Sequence, residues 1–208
     1  IPLNIHPNPR NVLIIGGGDC GAAREAAKYP DIQRIDMVEI DEMVVKASKN
    51  YLKEVSGDLS DPKVNFIFDD GALYVKRKRD YLYDVIIVDS SDPVGPAAKL
   101  FELEFYKDLY NNLHEDGLIV CQSESPIFYP EMLVNMHRRL STIFPVVKTY
   151  TATIPTYPGG LWTFTIGSKK YQEPNPEAFD KETRYVNKEI IKSCFSLPNF
   201  VKKLLNIE

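Results

Sequence analysis

Four carboxylates in this sequence follow short apolar runs that are typical of buried β-strands. They are Asp19 after NVLII and a glycine-rich turn, Glu39 at the end of RIDMVE, Asp70 after KVNFIF, and Asp89 after YDVIIV. In open α/β sheets, the carboxyl ends of parallel strands form the edge at which ligands bind. Several carboxylates at one edge repel one another unless a cation joins them. The spacing therefore predicts a site for a positively charged ligand.

The glycine-rich turn predicts that part of this ligand is a nucleoside. Gly16, Gly18 and Gly21 fit G-x-G-x-x-G between a predicted strand and a predicted helix, and Glu39 stands about twenty residues after the turn. An acidic residue at that strand end accepts hydrogen bonds from ribose hydroxyls. Both a dinucleotide and an adenosyl sulfonium compound fit this pattern. Asp19 favours the sulfonium, because a carboxylate inside the turn repels a pyrophosphate at the helix N-terminus.

Asp70 has two interpretations. An acidic residue at the end of the third strand commonly faces an adenine amino group in sheets that bind adenosyl compounds. Asp is also a preferred N-cap residue, and a predicted helix follows directly. The sequence leaves both possibilities open.

Alternating apolar and helix-forming segments predict the elements that position these residues. Strands are predicted at 11–15, 34–39, 63–68, 83–88, 118–122, 146–154 and 161–169. Helices are predicted at 21–29, 41–55, 69–78, 100–117, 130–144 and 200–206. We expect Asp41 to cap the second helix and Gly117 to stop the fourth. Val44, Ala47 and Tyr51 are expected to form one apolar face.

This order of elements predicts one α/β domain over residues 1–208. Five strand–helix units followed by two β runs indicate a Rossmann-like, mostly parallel sheet of the class I methyltransferase type, with a C-terminal antiparallel hairpin. Trp162 is expected to pack within that hairpin. We expect residues 1–10 to lead into the domain and the tail at 171–208 to pack on it.

Composition excludes several classes of function. The 208 residues are 44% hydrophobic with a net charge of -4, which does not favour binding to nucleic acid or to an anionic membrane. No apolar run approaches the roughly 20 residues of a membrane span. Three cysteines without a CxxC pair, and three scattered histidines, indicate neither a disulfide framework nor a metal site. A reduced, cytoplasmic protein is expected.

Several longer motifs resemble the spermidine synthases, the polyamine aminopropyltransferase family. They are VLIIGGGDCGAARE, VEIDEMVV, DVIIVDSSDPVGPA and TIPTYPGGLWTF, and the similarity extends from HPNP at 6–9 to the closing LPNFVKKLL. The resemblance implies transfer of the aminopropyl group of decarboxylated S-adenosylmethionine, a co-substrate, to putrescine. The products would be spermidine and 5'-methylthioadenosine. It implies no metal and no permanently bound cofactor.

The resemblance implies roles for residues on the amine side of the site. Asp89 matches the general base of the family, and Asp19 and Asp92 match anchors for the charged amines. Tyr157 matches a tyrosine that positions the attacking amine. Glu124 is expected to hold the far end of the diamine.

On the nucleoside side, the resemblance implies that Glu39 binds the ribose diol and that Asp70 with Gly71 binds the adenine. Pro96 matches a residue of the loop that covers the adenosyl group. The Ser-, Pro- and Gly-rich segment 90–100 is expected to act as a gate over the site.

This sequence departs from the family pattern in two respects. Cys20 stands where the family usually has glycine, and Ala22 and Ala23 replace a bulkier apolar pair. The family also carries an N-terminal β-strand domain ahead of HPNP, which this sequence is expected to lack. That domain supplies putrescine contacts and helps subunits to associate, and a homodimer or homotetramer is expected.

Two alternative functions share many of these features. A class I methyltransferase would have the same fold and the same role for Glu39, but the carboxylate of its S-adenosylmethionine would be repelled by Asp19. An inactive remnant that binds polyamines or nucleosides without turnover is the second alternative.

Overall fold

The computed structural model describes residues 1–91 and 95–207. Asp92 lies outside these residues, as does the side chain of Pro96. The strands are β1 Asn11–Gly16, β2 Arg34–Glu39, β3 Val64–Phe68, β4 Tyr83–Asp89, β5 Leu113–Gln122, β6 Val146–Thr153 and β7 Leu161–Ser168. The α-helices are α1 Pro2–Ile5, α2 Gly21–Ala27, α3 Glu42–Tyr51, α4 Lys53–Ser56, α5 Gly71–Lys76, α6 Leu103–Asn111, α7 Pro130–Ser141, α8 Lys188–Ser193 and α9 Asn199–Leu205. Two 3-10 helices span Gly95–Phe101 and Pro176–Ala178.

The strands form a seven-stranded sheet in the order β3-β2-β1-β4-β5-β7-β6. Strands β1 to β5 pair in parallel, whereas β7 is antiparallel to both β5 and β6. The predicted parallel sheet with a closing antiparallel hairpin is confirmed. The strand order reverses between β1 and β4, where Gly16 pairs with Asp89. This reversal creates the crevice in which such sheets bind ligands.

Both faces of the sheet are covered, which explains the continuous apolar runs of the central strands. Successive residues of a strand point to opposite faces. Leu13 and Ile15 of β1 therefore pack into one core with α6 and α7, while Val12 and Ile14 pack into the other with α2. This rigid double layer holds the strand ends, and the side chains on them, in fixed positions.

The predicted helix at 100–117 is wrong at both ends. Helix α6 ends at Asn111, and β5 already begins at Leu113, so Gly117 lies inside a strand. The register of β5 against β4 shifts between Tyr83 and Val85. A Cβ atom on Gly117 would lie 3.1 Å from the carbonyl oxygen of Tyr83. Gly117 therefore permits a close approach at a bulge and is not a helix stop.

The predicted helix at 41–55 is two helices. Asp41 is the N-cap of α3, as predicted, and its side chain accepts a hydrogen bond from the Met43 N–H at 2.8 Å. The chain leaves the helical conformation at Leu52, with φ -117° and ψ 47°, before α4 begins.

The apolar face expected for this helix is also wrong. Val45 and Ser48 are the buried residues of α3, whereas Tyr51 is 84% exposed. Val44 borders a cavity at the sheet edge, described below. An apolar side chain that faces a ligand site has the same signature in the sequence as one that faces the core.

The C-terminal tail packs on the sheet and on α7. Val201 of α9 and Leu197 form a small cluster with Leu133 of α7. The carbonyl of Cys194 accepts a hydrogen bond from the Thr151 N–H of β6. Helix α8 was not predicted, because its one fully buried residue, Ile191, leaves too short an apolar pattern. Within residues 1–91 and 95–207, no helix has the length and apolarity needed to cross a bilayer.

Candidate active site

The glycine turn brings β1 against the end of β4. Gly16 and Gly17 have φ of 82° and 72°, a region that favours glycine. The Gly17 N–H donates a hydrogen bond to the carbonyl of Asp89 at 2.9 Å, and a Cβ on Gly16 would collide with that carbonyl. The turn can therefore reach the tip of β4 only without side chains. Its open backbone leaves space beside the Asp89 carboxylate.

A cavity of about 450 Å³ opens at this edge and contains all four predicted carboxylates, Asp19, Glu39, Asp70 and Asp89. Apolar side chains line the rest of the wall, among them Val38, Ile40, Val44 and Leu100. The described lining residues include no Lys or Arg. The negative charge of this cavity therefore favours a ligand that carries a positive charge.

Glu39 is held in place by its own strand end. Its Oε1 accepts a hydrogen bond from the Asp41 N–H at 3.0 Å. Its Oε2 lies over the glycine turn, 3.0 Å from where a Cβ on Gly18 would stand, and that Cβ would also lie 2.6 Å from Val44 Cγ1. Gly18 thus keeps the space between Glu39 and Val44 open.

Asp70 lines the same cavity and caps α5. Its Oδ1 accepts hydrogen bonds from the N–H groups of Ala72 at 2.8 Å and Leu73 at 3.2 Å. The N-cap interpretation is therefore confirmed, while the adenine role stays a prediction. Gly71 allows α5 to pack closely, because a Cβ there would lie 2.6 Å from Ile15 Cγ2.

Asp89 is half-buried at the switch point of the sheet. Its Oδ1 accepts a hydrogen bond from the Gln122 side-chain amide at 2.6 Å. Burial raises the pKa of Asp89 above its ordinary value, and the charges of Asp19 and Glu39 raise it further, while the Gln122 hydrogen bond acts in the opposite direction. A carboxylate with a raised pKa is a stronger base than a solvated one.

A second cavity, of about 600 Å³, adjoins the first. The two cavities share four lining residues, which are Asp19, Asp89, Gln122 and Tyr157. The second cavity extends past Gly21, Ala22 and Tyr150 on the other side of the turn. Two ligands, one in each cavity, would therefore meet beside the Asp89 carboxylate.

The hairpin turn places Tyr157 between the cavities. Tyr157 is 40% exposed, and its ring stacks on Trp162 with centroids 3.9 Å apart and planes at 16°. Gly159 and Gly160 have φ of 75° and 68°, which explains the PGG of this turn. Trp162 itself is buried, so the prediction that it packs within the hairpin is confirmed.

The structure brings most, but not all, of the predicted residues together. Gly21 lines the second cavity and not the first. Glu124 is buried just beyond β5 with φ 66° and lines neither of these two cavities. Asp92 and the side chain of Pro96 lie outside the described residues. The roles of these residues stay predictions.

Gln122 is a site residue that was not predicted from the sequence. It ends β5, directly beside the end of β4, since Val88 pairs with the preceding residue Cys121. A polar residue that follows the apolar run LIVC was a signal of the same kind that identified Glu39 and Asp89. The expected order of the strands would have placed it next to Asp89.

Cys20 does not narrow the site. It is fully buried, adopts φ 68°, and lines neither cavity. Its side chain packs with α2 and β1 in one core, which also contains Cys194, whereas Cys121 is buried in the other core.

His6 lies with Asp84 and Asp116 at the opposite edge of the sheet, near the amino ends of β4 and β5. The His6 Nδ1 accepts a hydrogen bond from the Asn8 N–H at 3.3 Å. In the neutral ring, Nε2 therefore carries the proton and faces Asp116 at 3.7 Å and Asp84 at 4.0 Å. These contacts connect the lead-in segment to the sheet.

Known proteins are similar to this chain in both sequence and fold. A family model described as the spermine/spermidine synthase domain matches residues 1–177. The polyamine aminopropyltransferase of Bacillus subtilis (strain 168) is 47% identical over 208 residues, which cover 99% of this chain and 75% of that protein. The enzyme of the same name from Moorella thermoacetica is 48% identical over 208 residues, with 99% and 73% covered.

Two solved structures agree with these relatives. A spermidine synthase in complex with the transition state analogue AdoDATO superposes with a TM-score of 0.93 at 39% identity, covering 99% of this chain and 72% of that chain. The spermidine synthase of Thermotoga maritima superposes with a TM-score of 0.90 at 38% identity, covering 100% and 71%. The motifs, the fold and these relatives agree, and this chain belongs to the spermine/spermidine synthase family of transferases.

Proposed function

We propose that this chain moves the aminopropyl group of decarboxylated S-adenosylmethionine to putrescine, giving spermidine and 5'-methylthioadenosine. The main support is a pair of cavities that meet at one carboxylate, Asp89, the first of them lined by four carboxylates and the second sharing Asp19 and Asp89 with it. The sulfonium and the amines are cations, and they neutralise carboxylates that otherwise repel one another. The family relatives named polyamine aminopropyltransferase support the same activity.

The nucleoside occupies the first cavity in this proposal. Glu39 accepts the hydrogen bonds of the ribose hydroxyls, and Asp70 with Gly71 contacts the adenine beside apolar residues such as Ile40. The segment that contains Pro96 covers the adenosyl group. The sulfonium then lies near Asp19 and Asp89, where the two cavities meet.

The amine occupies the second cavity. Asp19 and Tyr157 border both cavities and orient the attacking nitrogen toward the aminopropyl carbon. Asp92 serves as a further anchor for the charged amines. Glu124, which is buried just beyond β5 and lines neither cavity, is assigned to the far end of the diamine on the family resemblance alone. Ala22, which lies in the wall of the second cavity, leaves room beside the diamine.

The reaction requires a base and correct orientation. An alkyl amine has a pKa of about 10 and is protonated at neutral pH, so it must lose a proton before it attacks carbon. The nitrogen forms a bond to the aminopropyl carbon while the bond from that carbon to sulfur breaks, and Asp89 receives the proton. The sulfur leaves as a neutral thioether and needs no acid. Asp89 and the positioning of both ligands therefore suffice.

We also propose that the protein is cytoplasmic and forms a homodimer or homotetramer, as the family resemblance implies. The unpaired state of Cys20, Cys121 and Cys194 fits a reducing compartment. Light scattering coupled to size exclusion measures the mass of the assembly against the 23.7 kDa of this chain. A mass that matches one chain at micromolar concentration would contradict the oligomer.

The choice between decarboxylated and ordinary S-adenosylmethionine tests the proposed function. Ordinary S-adenosylmethionine adds a carboxylate to a cavity that already contains Asp19 and Asp89. Two like charges about 4 Å apart repel by about 4 kcal/mol at an effective dielectric near 20. Asp19 is exposed, and screening reduces this value. If about a third of this repulsion energy remains, we expect the decarboxylated form to bind roughly tenfold more tightly in a competition titration.

The Asp19→Asn variant should reduce that difference. Asp19 Oδ1 accepts a hydrogen bond from the Gly21 N–H at 2.8 Å, and an asparagine oxygen can accept the same bond, so the turn keeps its shape. Asp31→Asn, an exposed position outside both cavities, is the matched control. Equal affinity of the wild type for both compounds, or methyl transfer from ordinary S-adenosylmethionine, would favour the methyltransferase alternative. Binding without release of methylthioadenosine would favour the inactive remnant.

A further inference from the structure

Two hydrogen bonds connect Trp162 to the proposed base. The indole Nε1–H of Trp162 donates to Oε1 of Gln122 at 3.1 Å, and Nε2–H of Gln122 donates to Oδ1 of Asp89 at 2.6 Å. Trp162 is only 4% exposed, and its ring stacks on Tyr157, which limits the movement of the indole. The chain Trp162–Gln122–Asp89 thus runs from the interior of the hairpin to the point where the cavities meet.

The chemistry of the three groups allows only one orientation of the Gln122 amide. An indole N–H is a donor only, and an ionised carboxylate is an acceptor only. The amide oxygen must therefore face Trp162, and the amide N–H must face Asp89. Without the indole, the amide could rotate by half a turn and present its oxygen to the carboxylate, which would remove the hydrogen bond to Asp89.

This arrangement makes the two oxygens of Asp89 different. Oδ1 is occupied by Gln122, whereas Oδ2 lies over the glycine turn, 3.4 Å from where a Cβ on Gly17 would stand. We propose that Trp162 is a positioning residue for the base, and that it acts through Gln122 to reserve Oδ2 of Asp89 for the amine proton. This inference rests on the proposed function, because it assigns the proton to Asp89.

The hairpin explains how a distant residue reaches the base. Strand β7 runs antiparallel to β5, with Phe164 paired to Gln122, so Trp162 lies just beyond the carboxyl end of β5. The outer face of the indole stacks on Tyr157, the tyrosine that borders both cavities. One buried side chain therefore supports both the base and a residue proposed to position the amine.

The charges around Asp89 determine what the loss of this chain of hydrogen bonds would do. Asp19 faces Asp89 from the glycine turn and Glu39 faces it from β2, and both raise its pKa together with burial. The Gln122 hydrogen bond lowers the pKa of Asp89 and so opposes them. A variant with a misoriented Gln122 should therefore have a base that is protonated up to a higher pH.

The first experiment is a double-mutant cycle with Trp162→Phe and Gln122→Met, read out as the pH profile of kcat/KM. Trp162→Phe keeps an aromatic ring against Tyr157 but removes the indole N–H. We expect it to lower kcat/KM about 5- to 10-fold at neutral pH, as for one hydrogen bond, and to shift the acid limb of the profile to higher pH. In the Gln122→Met background, Trp162→Phe should have no further effect.

A role of Trp162 in packing alone would give a different result. It would lower the melting temperature and change KM, but it would leave the acid limb at its wild-type pH. Its effect would also add to that of Gln122→Met. Additive losses, or an unmoved acid limb in Trp162→Phe, would overturn the inference.

A second experiment does not depend on turnover. The chain contains a single tryptophan, so the indole N–H gives one resonance in a proton–nitrogen correlation spectrum. We expect this resonance to shift in Gln122→Met and in Asp89→Asn, and to keep its position in the exposed control Asp31→Asn. An indole resonance that does not respond to Gln122→Met would refute the chain of hydrogen bonds even in an active enzyme. If the indole resonance responds in a protein that releases no methylthioadenosine, the hydrogen bond between Trp162 and Gln122 is present but the proposed function is wrong.

Discussion

Replacing Asp89 with asparagine is expected to lower kcat by about 100-fold or more, the usual range for the loss of a general base. Asparagine has nearly the size of aspartate, and its oxygen can still accept the hydrogen bond from Gln122. The variant therefore keeps the geometry of the site and loses the group that receives the amine proton. Release of methylthioadenosine under saturating substrates measures the effect.

The same variant should be more stable than the wild type at neutral pH. The pKa of Asp89 is raised in the folded protein, mainly by burial, so its ionised form is less favourable there than in the unfolded chain. The protonated form stabilises the folded protein. This contribution is fully present below pH 3.8, the ordinary pKa of the group, and is lost as the pH rises through the raised pKa of Asp89 in the folded protein. Asparagine does not ionise, so the variant does not lose this stability as the pH rises. The melting temperature of Asp89→Asn should therefore exceed that of the wild type more at pH 7 than at pH 4.

Asp31→Asn is the matched control, because the same change at an exposed position outside the cavities should alter neither kcat nor stability. More than half of the wild-type activity in Asp89→Asn would contradict its role as the base. A variant that is inactive and also less stable at pH 7 would contradict the account of its burial. Loss of activity with a gain in stability is the combined result that we expect of a functional carboxylate in a desolvated position.

The sequence was sufficient to predict which carboxylates would meet. Asp19, Glu39 and Asp89 each follow a strand whose apolar run is visible in one short window, and the parallel order of those strands follows from the helices between them. The residues at the strand ends then share one edge, whatever the details of packing. For the same reason, Gln122 at the end of β5 was predictable in principle, although it was not identified.

Features that depend on contacts between distant segments were not predictable in this way. Gly117 follows a helical pattern in the sequence, and only the register of β5 against Tyr83 shows why the strand starts earlier. The hydrogen bond from Trp162 to Gln122 joins two strands through an antiparallel pairing whose register no local pattern specifies. Val44 resembles a core residue because apolar periodicity does not distinguish a core from a ligand cavity.

Replacing Glu39 with glutamine is expected to weaken the binding of 5'-methylthioadenosine by about 1–3 kcal/mol, or roughly 5- to 150-fold. Glu39 Oε1 is already held by the Asp41 N–H, which leaves Oε2 over the glycine turn as the acceptor for the ribose hydroxyls. In the variant, the glutamine oxygen keeps the bond to Asp41 and its amide group faces the ribose. A charged acceptor is then replaced by a donor. Calorimetric titration measures the change in affinity.

The choice of methylthioadenosine separates hydrogen bonding from charge attraction, because this product is a neutral thioether and has no sulfonium to attract. A loss of affinity in Glu39→Gln therefore reports on contacts with the nucleoside and not on the net charge of the cavity. Glu42→Gln is the matched control, since Glu42 is exposed at the start of α3 and pairs with Lys46 on the same helix. Unchanged affinity in Glu39→Gln would contradict the ribose assignment. Equal losses in both variants would instead indicate a general effect on α3 and the turn that precedes it.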